Sequence, residues 1–261
     1  MAFDGPLFLA ALALASFVLS YYGAAVGLIL GHLRLPLLIY SLPSAASGAA
    51  TNLAISGVGA LTGSLKHARE GRVSLQVLAI MGLPSVVGAL LGAFLVIAID
   101  TVWARLVVGG FLLLSGLNLA LGSADEDEQG GLLCGPRLLL EAIIGLGIGF
   151  LAAVTGLMLG SLRLPMMIRL LKIDPRVAVG SNMAIGCLTA FAGAATLWTR
   201  GGTFHLVPIL VVAPPTILGG YLGARWTQRI RKEALRGLVG WTVALTGLGM
   251  VAEGLWHVLG S

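Results

Sequence analysis

Residues Gly27 to Pro36 read GLILGHLRLP, and residues Gly156 to Pro165 read GLMLGSLRLP. Eight of the ten positions are identical, among them two glycines, an arginine and a proline. The duplication extends outward from this decapeptide. Gly27 and Gly156 stand 129 residues apart, Asn52 of TNLAI and Asn182 of SNMAI 130, and Pro84 of PSVVGALLGA and Pro215 of PTILGGYLGA 131. Arg105 and Arg236 keep the last offset, so two single-residue steps align the whole of each half. The chain therefore reads as two homologous repeats, 1–122 and 137–261, joined by a linker over 123–136. The stretch SADEDEQGG from Ser123 has four consecutive acids and no apolar face, and is expected to stay in water.

Composition says what solvent the repeats meet. Of 261 residues 57% are hydrophobic and 10% charged, with mean hydropathy +0.99; soluble domains carry about 25% charged residues. Apolar runs at about 7–30, 44–65, 73–99, 101–122, 137–160, 176–199, 204–224 and 236–258 are each long enough for a hydrocarbon core of about 30 Å. They are continuous rather than alternating, which selects helices over a β-barrel. The fold class expected is an all-α polytopic membrane protein with about eight transmembrane helices in two four-helix repeats, multi-pass in the cell membrane. Asp4 stands where a signal peptide needs basic residues, and the run after it is too long for one. The net charge of +5 reflects basic loops rather than a nucleic-acid partner. In a simple eight-span reading Lys66, Arg69, Arg72, Arg137 and Arg200 fall on the side of the termini and the other eleven basic residues opposite, placing both termini outside the cytoplasm.

The duplicated stretch disturbs that reading. Leu7 to Leu42 is 36 residues with only His32 and Arg34 able to carry charge. As one helix it would be about 54 Å long at 1.5 Å per residue, too long for one span and too short for two with a turn. Gly27, Gly31 and Pro36 weaken helix there, as do Gly156, Gly160 and Pro165 in the second half. The first helix of each repeat is expected to break near Gly31 and Gly160 and resume near the proline. If the breaks are re-entrant, the repeats are inverted. Pro84, Pro214 and Pro215 are expected to kink their spans, and Gly88 with Gly92 and Gly219 with Gly223 to pack helices closely.

The glycine-rich break followed by proline, the Thr/Ser-Asn pairs, the basic KHAREGR loop and the paired PxxxGxxxGA segments resemble the TauE/SafE family of sulfite and organosulfonate exporters over nearly the whole chain. The family break has the pattern GxGGGxxxxP; here Ile29, Leu30, Met158 and Leu159 replace glycines, and Arg34 and Arg163 stand where the family is apolar. The resemblance implies a secondary transporter that exports a small sulfur-containing anion by alternating access.

Candidate residues for the anion are Arg34, Arg163, Gly31, Gly160, His32 and the pairs Thr51–Asn52 and Ser181–Asn182. Broken helices expose amides whose partial charge suits an anion, and asparagine amides can donate to its oxygens. Each has an alternative: the arginines snorkel to the surface, and the Thr/Ser-Asn pairs cap helix starts. His32, opposite Ser161 in the repeat, reads better as a hydrogen-bonding or interfacial group. Of the eleven carboxylates none reads as mid-membrane, with Glu141 and Glu253 near span ends, which suits anionic cargo. Cys134 and Cys187 have no metal-ligand spacing, and His67, His205 and His257 lie near span ends. No metal, cofactor or catalytic group is expected; the expected partners are a small anion and the lipid bilayer, with a homo-oligomer as the alternative to a monomer. Transport of another small anion, an intramembrane enzyme and a scaffold are the alternatives.

Overall fold

The computed structural model describes residues 6–95, 101–121, 136–155 and 160–259. The acidic run of the linker, Cys134, Asp4, Asp100 and Gly156 lie outside them. Helix α1 runs Pro6–Val26. It ends where Gly27 takes a left-handed φ of 76°, and Leu28 N–H bonds to Gly23 O at 2.8 Å to close the helix end. A 3₁₀ turn at Leu30–Leu33 and the short α2, Leu35–Ser41, follow. The break thus begins at Gly27 and contains Gly31, helix resumes at Leu35 as expected, and Pro36 sits in the first turn of α2, where a missing N–H costs nothing.

Helix α3, Ala45–Arg69, is capped by Ser44, whose side chain accepts from Ser47 N–H at 3.1 Å. A continuous helical stretch follows, made of α4 (Leu75–Val77), a π turn (Leu78–Gly82) and α5 (Leu83–Leu95), with Pro84 just after the π turn. Then come α6 (Thr101–Leu121) and α7 (Pro136–Thr155). Residues 156–159, where the second break is expected, lie outside the described residues; beyond them α8 (Gly160–Pro165) ends on Pro165 and passes into a π turn at Met166–Leu170. Asp174 caps α9, Pro175–Thr199, with Pro175 at its first position. Helix α10 runs Leu206–Trp226 through Pro214 and Pro215, and α11 Lys232–Leu259. The helical class holds, with no strand among the described residues.

By length and composition Leu7–Val26, Pro175–Thr199, Leu206–Arg229 and Lys232–Trp256 can cross a membrane, while Leu75–Leu91, Gly109–Leu121 and Leu138–Phe150 are shorter apolar stretches. Helix α3 is long enough, yet Thr51, Asn52, Ser56 and Ser64, all buried against protein, lower its hydropathy. The outer surface shows large apolar side chains such as Leu114, Leu210 and Leu245, as lipid requires and water would not tolerate over such an area.

Glycines fix how the helices pack. Gly219 and Gly223 of α10 lie on Phe17 and Tyr21 of α1, and Gly145 and Gly149 of α7 on Met81 and Ser85 before and within α5, so both pairs run parallel. Gly88 of α5 meets Leu146 and Phe150 of α7. Helices α3 and α9 run antiparallel: Leu53 packs on Gly193, Cys187 Sγ lies 3.7 Å from Gly57 O, and Met183 packs on Gly63. Helices α6 and α11 are antiparallel too, with Gly109 on Met250 and Ala120 on Gly240. Within the first half α1 is parallel to α3, because Ser20 lies beside Gly59 and His67 Nε2 bonds to Ala24 O at 3.1 Å. The segment between Gly27 and Ser44 therefore runs back along α3.

Candidate functional site

That returning segment carries Arg34 into the interior. Only 3% exposed, its guanidinium donates from Nε to Asn52 Oδ1 at 3.0 Å and from Nη2 to Ser56 Oγ at 3.0 Å. Gly31 is what allows so close an approach: a Cβ there would stand 2.1 Å from Ser56 Oγ. Arg163 is 2% exposed, donates from Nη1 to Asn182 Oδ1 at 3.1 Å, and has no partner for Nε. Neither arginine snorkels. Among the described residues neither pairs with a carboxylate, so each buried positive charge rests on neutral acceptors.

The Thr/Ser-Asn pairs do not start helices. Asn52 and Asn182 each lie a full two turns inside α3 and α9, whose caps are Ser44 and Asp174. Their hydroxyl neighbours do cap, but on other helices. Thr51 Oγ1 accepts from His205 N–H at 3.3 Å, ahead of α10, and Ser181 Oγ accepts from Ser74 N–H at 3.0 Å, ahead of α4. Asn182 Nδ2 donates to Gly27 O at 2.7 Å and Gly160 O at 3.0 Å, tying the end of α1 to the start of α8. The two asparagines do not face one another. With Met183 beside Gly63, Asn182 is about a dozen residues along from Asn52, roughly 18 Å at 1.5 Å per residue.

A cavity opens beside Arg34. Ser16 and Ser20 of α1, Leu28 to Gly31 of the break, Ser56 and Gly59 of α3, Met183 of α9 and Thr216 of α10 line it. Its volume, about 20 Å³ for the centre of a water-sized solute, holds roughly one or two waters. Ser20 Oγ donates to Thr216 O at 2.7 Å, whereas the buried Ser16 Oγ has no partner. Of the residues singled out in the sequence, Arg34 and Gly31 are on this cavity, with Asn52 directly behind Arg34. Arg163, Gly160, Asn182, Ser181 and Thr51 are not. His32 lies in the 3₁₀ turn, its side chain outside the described residues.

Aligned at the sequence offsets given above, the serines of the cavity stand opposite glycines in the second half. The counterparts of Ser16, Ser20 and Ser56 are Gly145, Gly149 and Gly186. A Cβ on these would stand 2.3 Å from Met81 O, 2.0 Å from Ser85 O and 2.5 Å from Ile29 Cδ1, so neighbouring atoms fill the equivalent space. A site searched for as a duplicated motif hides residues that only one half has. Glu141 lies in the second turn of α7, near the helix end as its sequence position suggests, and its side chain is fully buried.

Apolar outside, with buried polar side chains around one interior cavity, and broken where the chain doubles back, the molecule is a multi-pass helical membrane protein whose cavity is lined by an arginine. It belongs to the TauE/SafE family, membrane transporters by description: the family profile "Sulfite exporter TauE/SafE" matches residues 8–250. It is similar to the "Probable membrane transporter protein YdhB" of Bacillus subtilis (strain 168), 27% identical over 206 residues, covering 76% of this chain and 81% of that one. "Probable membrane transporter protein YunE" of the same organism is 28% identical over 120 residues, 44% of each chain. No solved structure matches the chain.

Proposed function

We propose that this transporter exports a small sulfur-containing anion, sulfite or a short organosulfonate, across the cell membrane, and that Arg34 and Ser16 bind it. The observation that carries the reading is the cavity itself: a buried guanidinium without a carboxylate and a buried hydroxyl without a partner line one small space. A positive charge held by neutral groups leaves an anion as its natural counter-charge. The volume favours a compact oxyanion over a long-tailed one.

The architecture proposed is two inverted four-helix repeats, 1–122 and 137–261, giving about eight spans, with alternating access arising from their relative movement. The exchange of packing partners supports it: α1 on α10 corresponds to α7 on α5, and α3–α9 and α6–α11 are each antiparallel pairs of counterparts. The basic ends of α3 and α10 and the basic residues preceding α9 and α11 would face the cytoplasm, with both termini outside.

Thermal unfolding of the purified protein with sulfite, methanesulfonate, chloride and a neutral solute tests the site. Sulfite or the sulfonate is expected to raise Tm of the wild type and not of Arg34→Gln. Equal stabilisation of Arg34→Gln and wild type, or stabilisation by the neutral solute alone, overturns the reading.

A further inference from the structure

Glu141 lies in the second turn of α7, fully buried, and neither carboxylate oxygen has a hydrogen-bond partner among the described residues. An unpaired carboxylate ion is poorly tolerated in such surroundings, whereas the neutral acid is tolerated far better. Packing does not ask for a carboxyl there. The repeat counterpart of Glu141 is Leu12, which clusters with Leu38, Ile55 and Val212. The counterparts of those three, Met167, Ile185 and Met81, are all core residues. A leucine would fit where the chain has a glutamate.

The elements packed on α7 are α5, the π turn before it, α6 and α8. Helix α5 and the π turn carry no ionisable residue. Helix α6 carries Arg105, and α7 itself Arg137, both with side chains outside the described residues. Helix α8 carries Arg163, whose Nε is buried and, like Glu141, without a partner. In the π turn after α8, Arg169 is engaged by Asn118 O. A carboxyl with no partner and a guanidinium whose Nε has none thus sit on adjoining elements. Arg163 is tied through Asn182 to Gly27 O, at the head of the break that lines the anion cavity.

Resting on the transport reading above, we propose that Glu141 is a proton-carrying site that couples anion movement to proton movement. In the conformation described it is the neutral acid. When α7 and α8 shift during the cycle, its O–H bond breaks, the proton passes to water, and the carboxylate pairs with the Arg163 guanidinium, which keeps its charge throughout. Reprotonation from water on the return step resets the site.

The test uses the full chain in proteoliposomes with methanesulfonate, an anion that stays ionised throughout the working pH range, and the variants Glu141→Gln and Glu141→Leu. Both are expected to retain methanesulfonate counterflow and to lose net flux driven by an imposed pH gradient; the leucine variant should fold at least as stably as wild type. The infrared difference between wild type and Glu141→Gln should contain the carbonyl stretch of a protonated carboxylic acid. Wild-type pH-gradient-driven flux in both variants, net flux that follows sodium instead of pH, or absence of that infrared band overturns the proposal. Absence of wild-type counterflow with either methanesulfonate or sulfite, with the infrared band present, instead overturns the transport reading.

Discussion

Arg34 and Arg163 occupy one repeat position in two environments, and the difference decides what each can do. Arg34 borders a cavity; Arg163 is enclosed, and the glycines opposite Ser16, Ser20 and Ser56 leave no equivalent space beside it. Replacing Arg34 with Gln is expected to weaken anion affinity roughly 10- to 150-fold, the loss of about 1.5–3 kcal/mol from a charge-assisted bond. Arg163→Gln should lower thermal stability and leave affinity nearly unchanged; equal affinity losses in both variants would contradict this. The asparagines divide likewise. Asn52→Asp puts a carboxylate against Arg34, so affinity should fall while folding holds. Asn182→Asp removes the donors to Gly27 O and Gly160 O and should reduce Tm more than Asn52→Asp does. Melting curves and anion titration of the two variants check both statements. At this scale the arginines and asparagines were legible because they are duplicated. Ser16 was not, since its counterpart is a glycine, and the true caps lay several residues upstream, where Asp174 followed by Pro175 is itself a helix-start signal.

Among the elements, the breaks and the glycine-paired helices matter most. Positions of these helices were readable from apolar runs alone: 176–199 and 101–122 correspond to α9, Pro175–Thr199, and α6, Thr101–Leu121. The site of the break was less readable. Gly31 and Gly27 look alike in sequence, yet only Gly27 adopts the left-handed φ, and Gly31 is needed for its missing Cβ against Ser56. Parallel contact of α7 with α5 depends on glycine in a way one helix can test with its own control. Alanine at Gly149 would bring Cβ to 2.0 Å from Ser85 O, backbone that cannot swing aside, while alanine at Gly147 meets nothing within 4 Å. Gly149→Ala is expected to cost about 1–3 kcal/mol through forced separation of the helices. Gly147→Ala should be neutral or stabilising, since alanine favours helix. Similar Tm values for the two variants would remove close packing as the reason for Gly149.

For the whole molecule, the direction of each helix follows from the returning segment, and orientation follows from the direction. A simple alternation of spans separates Lys66, Arg69 and Arg72 from the basic cluster around Arg225 to Arg236. Because the chain doubles back between α1 and α3, these groups come together: Arg72 Nη2 donates to Ala224 O at 2.9 Å, Arg176 Nη2 to Ile230 O at 2.9 Å, and Lys232 pairs with Asp174. The opposite face has Arg200 in the turn between α9 and α10, where Thr203 N–H bonds to Ser47 Oγ at 3.2 Å. The charge bias between faces is therefore sharper than the sequence count suggested, and the basic face is expected in the cytoplasm. Single cysteines at the exposed positions Arg69, Arg231 and Thr199, in a chain with Cys134 and Cys187 replaced by alanine, report it. In right-side-out vesicles a membrane-impermeant maleimide should label Thr199→Cys at once, and Arg69→Cys and Arg231→Cys only after permeabilisation. The reverse pattern would invert the orientation. Labelling of Arg69→Cys and Arg231→Cys from opposite sides would refute the shared face, and with it the returning segment between Gly27 and Ser44 on which the placement of Arg34 depends.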